Sequence, residues 1–103
     1  MNSKRIEFDI ISNDERQFVK WFGEHYKNKK LKCTDYWESQ IPTSKIHHFI
    51  IESEFRMIHI SFSKISIVCS IITNIKKGRE KDIYKGYSWT NCKEILDLYL
   101  WKK

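Results

Sequence analysis

The sequence predicts one α+β domain spanning residues 1–103, an antiparallel β-meander of about four to five strands with two amphipathic helices, one near each terminus, packed on one face. Three observations predict it. Between Lys45 and Ile75 apolar residues recur at the two-residue period of a pleated strand. Segments near both ends instead place apolar residues three and four apart, as one face of a helix requires. The chain of 103 residues also has no internal repeat and no low-complexity linker, and it is too short for two independent cores.

The elements follow in order. Arg5 to Ile11 sets Ile6, Phe8 and Ile10 against Glu7 and Asp9, the pattern of a half-buried strand. Ser12-Asn13-Asp14-Glu15 is a helix start, with Ser12 or Asn13 as cap and acids at the positive end of the helix dipole. The helix is expected from Asp14 to Lys29. Phe18, Val19, Phe22 and Tyr26 share its apolar face, Trp21 and His25 lie at the edge, and Arg16, Lys20 and Lys27 lie opposite. Leu31 to Pro42 is ambiguous between a helical turn and a short strand, and Pro42 speaks against a central strand.

Three strands are expected next. Ile46, His48 and Ile50 alternate with His47, Phe49 and Ile51, and Ile58, Ile60 and Phe62 alternate with Met57, His59 and Ser61. Ile65, Ile67, Cys69 and Ile71 continue in the opposite parity, which places a turn near Ser63-Lys64. A helix over the same stretch would be apolar on nearly every side, and the absence of Ala and Leu there favours strands. Lys76 to Lys81 is a charged turn containing Gly78, followed by a strand from Ile83 to Thr90 with a bulge at Gly86. The last helix is expected to open at Asn91, with Glu94 at capping-box spacing, and to bury Cys92, Ile95, Leu96 and Tyr99. Trp101 falls off that arc, toward Glu94 and Asp97.

Composition narrows the function class. The longest apolar stretch, Ile65 to Ile75, is broken by Ser66, Ser70, Thr73 and Asn74, so no membrane partner is expected. No apolar stretch follows Met1-Asn2-Ser3-Lys4-Arg5, and Cys33, Cys69 and Cys92 form no CxxC pair. The expectation is free thiols in a reducing, cytoplasmic setting. A net charge of +6 favours an acidic partner. Abundant Ile and Lys with no Ala is the bias of an AT-rich coding genome, as in low-GC bacteria with their phages and plasmids, some large DNA viruses and certain protists.

No phosphate-loop, dinucleotide, zinc-protease or serine-hydrolase signature occurs, and no cofactor or metal is expected. Pairing of the two strands would bring His48 near His59, but no third ligand stands at metal-site spacing, and the histidines are read as solvent-facing. Cys92, near a helix start, lacks a local base and is read as structural. Glu52 with Glu54, and Asp35 with Glu38, form no informative motif.

The basic and aromatic residues carry more. Lys76, Lys77, Arg79, Lys81 and Lys85 crowd one hairpin with Tyr84, Tyr87 and Trp89 interleaved, a pattern that can hold phosphates and stack bases. Arg16, Lys20 and Lys27 form a second basic stripe, and Trp101, Trp37 and Tyr36 are candidate aromatic anchors. The expected function is a non-catalytic accessory protein of a phage or mobile element. It would bind and modulate a host protein or nucleoprotein complex that handles nucleic acid or provides defence. The alternatives are direct DNA or RNA binding through hairpin 76–85, and a small ribonuclease or toxin-type enzyme using His, Glu and Lys from the sheet.

Overall fold

The computed structural model describes residues 9–28, 30–42, 44–74 and 76–102. Helix α1 (Asn13–Lys27) is followed by strands β1 (Lys32–Ile41), β2 (Ser44–Glu52), β3 (Met57–Phe62), β4 (Ile67–Asn74) and β5 (Arg79–Gly86), and by helix α2 (Trp89–Leu100). The strands form one antiparallel sheet in sequential order β1-β2-β3-β4-β5, so the fold is α+β with a helix near each end. None of the described helices is long and apolar enough to cross a membrane.

Helix α1 starts where its sequence asks it to. The Ser12 hydroxyl accepts the Glu15 amide at 3.0 Å, and Asp14 and Glu15 occupy the first turn. The strand expected at Arg5–Ile11 lies outside the described residues as far as residue 8, and residues 9–11 pair in no ladder. Ambiguous segment 31–42 contains β1, a ten-residue edge strand. A register shift between Cys33 and Asp35 breaks its alternation, which is why its period was hard to read. Pro42 sits in the turn to β2, where no ladder amide is needed.

The turns β2–β3 and β3–β4 share one device. Ser53 donates its amide to the Arg56 carbonyl at 2.9 Å, and its hydroxyl accepts the Phe55 and Arg56 amides, each at 3.2 Å. Ser63 repeats this with the Ser66 carbonyl at 3.0 Å and the Ile65 and Ser66 amides at 3.3 and 3.0 Å. The parity change near Ser63-Lys64 is this turn.

The C-terminal third differs from expectation. The charged turn is shorter than Lys76–Lys81: Gly78 takes the left-handed conformation at φ 63°, and Arg79 already pairs in β5. No strand reaches Thr90, because Ser88 caps α2 and accepts the Asn91 amide at 3.4 Å. Helix α2 thus begins two residues before Asn91, with Trp89 in the core. The register shifts fall between Cys69 and Ser70 and between Ile72 and Asn74, not at Gly86. Gly86 is needed for another reason: a Cβ there would run into the Tyr84 hydroxyl, which donates to the Ser88 carbonyl at 3.1 Å.

Both helices pack on one face of the sheet. Phe18 of α1 is fully buried, with ring centroids 5.0 Å from Phe49, 5.1 Å from Phe62 and 5.8 Å from Trp89. Trp21, expected at the helix edge, is buried with it, whereas Tyr26 is 45% exposed. In α2 the buried positions are Trp89, Cys92, Leu96 and Leu100, and Ile95 and Tyr99 are only half-buried. Residues 89, 92, 96 and 100 form the stripe that meets the sheet, and 95 and 99 lie at its flank.

Candidate binding surfaces

Strand alternation divides the sheet residues. Phe49, Ile51, Ile58, Ile60, Phe62 and Cys69 point into the core. The opposite parity, Trp37, His48, Ile50, His59, Ser61, Val68 and Ser70, forms an outer face over which neither helix packs.

That face holds a hydrogen-bond chain across the sheet. His59 Nδ1 lies 3.0 and 3.2 Å from the Glu80 carboxylate oxygens, and His59 Nε2 lies 2.9 Å from His48 Nδ1. His48 Nε2 is 2.7 Å from the Ser39 hydroxyl. A carboxylate only accepts, so His59 Nδ1 carries a proton, and with both rings neutral His59 Nε2 is an acceptor. His48 Nδ1–H must then donate to it, and His48 Nε2 accepts from Ser39. Every donor points the same way, from edge strand β1 to edge strand β5. Ser61 adds its hydroxyl at 3.1 Å from His48 and 3.3 Å from His59. The Trp37 ring lies flat on His48, with centroids 4.8 Å apart at 7°, and tilts over His59 at 5.3 Å. The His48 imidazole is held below its usual 6.5 by burial first, then by His59 and His47, with Glu80 opposing.

Ser61, His59 and Glu80 have the connectivity of a nucleophile, a base and an orienting acid. The surroundings do not complete such a site. Ser61 lies in a central strand, with ladder partners His48 and Val68 on its two sides, so the sheet takes up the backbone amides that an oxyanion would need. Among the described residues no three His, Cys, Asp or Glu side chains group as metal ligands.

His47 is not solvent-facing as expected. It is buried on the inner face and bridges two carboxylates, Glu15 Oε2 at 2.6 Å from Nδ1 and Glu38 Oε1 at 3.2 Å from Nε2. Glu15 is itself buried and accepts the Ile11 amide at 2.9 Å, so this polar group ties the start of α1 to β1 and β2. The three cysteines are buried. Cys69 and Cys92 touch at 3.1 Å between β4 and α2, and that contact together with burial raises the Cys69 thiol far above its usual range.

The basic residues expected to bind are spread over the molecule. Lys76, Lys77, Arg79, Lys81 and Lys85 are exposed along the β4–β5 hairpin and β5, with Lys85 3.8 Å from Asp82. Tyr84 is half-buried, packs on the core and spends its hydroxyl on Ser88. Arg16, Lys20 and Lys27 are exposed along α1. Tyr36 and Trp37 are separated by strand alternation: Tyr36 packs toward Phe49 at 6.4 Å, while Trp37 stays 39% exposed on the outer face.

Trp101 caps the end of α2. Its indole N–H donates to Asp97 at 3.1 Å, and its ring lies 5.0 Å from His25. With Lys27 it lines an open groove of about 1150 Å3 bounded by the end of α1, the start of β1 and the β2–β3 turn. The sequence does not point to this groove, and of the outer-face chain only the approach of His48 to His59 is legible in it. The first needs residues from four elements, and the second depends on strand register. No protein-family model matches this chain, and no curated protein or solved structure shows significant similarity to it.

Proposed function

We propose that this protein is a non-catalytic binding protein, an accessory factor of a phage or mobile element, that docks the outer face of its sheet onto a host protein of a nucleic-acid-handling or defence complex. The observation that carries the reading is Trp37, 39% exposed on a face that neither helix covers and already stacked flat on His48. An aromatic anchor held in its bound orientation loses little conformational freedom on docking. Half-buried Ile50, Met57, Val68 and Ile72 give the face an apolar centre, and Glu80, Asp82 and Lys85 give it a charged edge. The Ile- and Lys-rich, Ala-free composition supports the mobile-element origin, and the net charge of +6 supports a partner with acidic surface. Stacking on bases by the basic hairpin would rest on Tyr87 alone, 79% exposed, because Tyr84 is engaged and Trp89 is buried.

The test is affinity capture from lysates of low-GC bacteria with the wild-type chain and with Trp37→Asp side by side. The reading expects a stoichiometric host protein that the wild type retains and the variant loses. Identical captured sets from two folded baits would remove the outer face as the docking surface.

A further inference from the structure

We infer that the groove at the end of α1, on a separate surface from the docking face, binds a short segment of single-stranded nucleic acid. Its volume of about 1150 Å3 exceeds the ~300–1,000 Å3 of small-molecule pockets and, being open, suits a passing chain. Lys27, Lys30 and Lys32 stand along it where α1 gives way to β1. All three are exposed, and among the described residues none pairs with a carboxylate. Three adjacent unpaired ammonium groups favour an anionic chain whose charges are also adjacent.

Tyr26, Phe55 and Trp101 supply the second component, aromatic faces on which bases of any sequence can stack. The Trp101 ring is positioned in advance by Asp97 and His25. Glu54 lines the side formed by the β2–β3 turn, and Glu52, at the end of β2, stands opposite Lys32 in the ladder; their charge steers phosphates toward Lys27 and Lys30, which leaves the bases to face the aromatic rings. A protein ligand would need matching basic groups for Glu52 and Glu54, whereas a nucleic acid strand needs only to lie off-centre.

The probe is a fluorescein-labelled oligonucleotide of about 12 nucleotides, oligo-dT or oligo-U, within the ~4–16 nucleotides such grooves occupy. Anisotropy titrations across salt should give saturable binding that weakens as salt rises. Replacing Lys27, Lys30 and Lys32 together with Ser should flatten the log–log salt slope by about 2, at ~0.7 per lost phosphate contact on a single strand. Those side chains are exposed, so the variant should fold normally. Trp101→Ala, with folding checked by circular dichroism, should weaken binding about tenfold with little change in slope. Glu52→Gln with Glu54→Gln should tighten it. No binding at low salt would overturn the inference. So would binding abolished by Ser at Lys76, Lys77 and Arg79 but untouched by Ser at Lys27, Lys30 and Lys32. Loss of oligonucleotide binding in Trp37→Asp as well would show that the two surfaces are not separate.

Discussion

At the scale of residues, adjacent histidines have opposite fates. Strand alternation sends His47 into the core between Glu15 and Glu38 and sends His48 to the outer face beneath Trp37. Both parities around them carry Ile or Phe, so composition alone did not say which imidazole would be buried. The pairing of His48 with His59 was legible, because it needs only that two neighbouring strands form a hairpin. Glu80 was not, because it reaches His59 across β4, from the far edge of the sheet. This chain makes a pH prediction. His48 titrates below 6.5 in the folded protein, so between that value and its folded pKa the unfolded chain binds a proton that the fold does not. The contribution of His48 to stability is therefore fully present above pH 6.5 and is lost as the solution is acidified through its folded pKa. Urea midpoints should decline between about pH 6.5 and pH 5, above most carboxylate titrations. The decline should be shallower in His48→Gln, and an equal decline in both proteins would show that His48 does not set it.

At the scale of elements, helix α1 was legible almost to the residue because a Ser cap, two acids and a three-four apolar stripe all agree. Strands β2 to β4 were legible because their alternation is regular. Edge strands β1 and β5 were harder. Charged and polar residues on both parities, and register shifts in their ladders, remove the periodic signal there. The start of α2 shows how two local signals compete. Ser88 and Asn91 are both acceptable caps, and Trp89 fits a strand as well as a helix. Tertiary contacts decide: Trp89 packs on Phe18 and Trp21, and its amide donates to Asp14 Oδ1 at 3.0 Å. An acid read as serving its own helix thus also serves the first turn of the other. Ser88→Ala should cost about 1 kcal/mol in denaturant melts, and Asn91→Ala should stay within ~0.5 kcal/mol. The reverse order would return the helix start to Asn91.

At the scale of the whole molecule, the sequential strand order follows from short connections between antiparallel neighbours, which is why the meander was readable. That one face would lack a helix was implied by two helices on the other. That Trp37 would stand on the uncovered face and Tyr36 on the covered one required the register of an edge strand whose alternation is interrupted. The candidate anchors of the sequence therefore resolve into three places: Tyr36 toward the core, Trp37 on the outer face and Trp101 in the groove. The most direct measurement of the central claim is the affinity of the captured host protein for two variants at physiological ionic strength. Trp37→Ala should weaken the complex by about 30-fold or more, the effect of a ~2 kcal/mol anchor. Ser at Lys76, Lys77 and Arg79 together should change it by less than about 3-fold, because exposed rim charges act mainly on association rate. A Trp37→Ala protein that binds as tightly as the wild type, beside a charge variant that does not bind, would contradict the account.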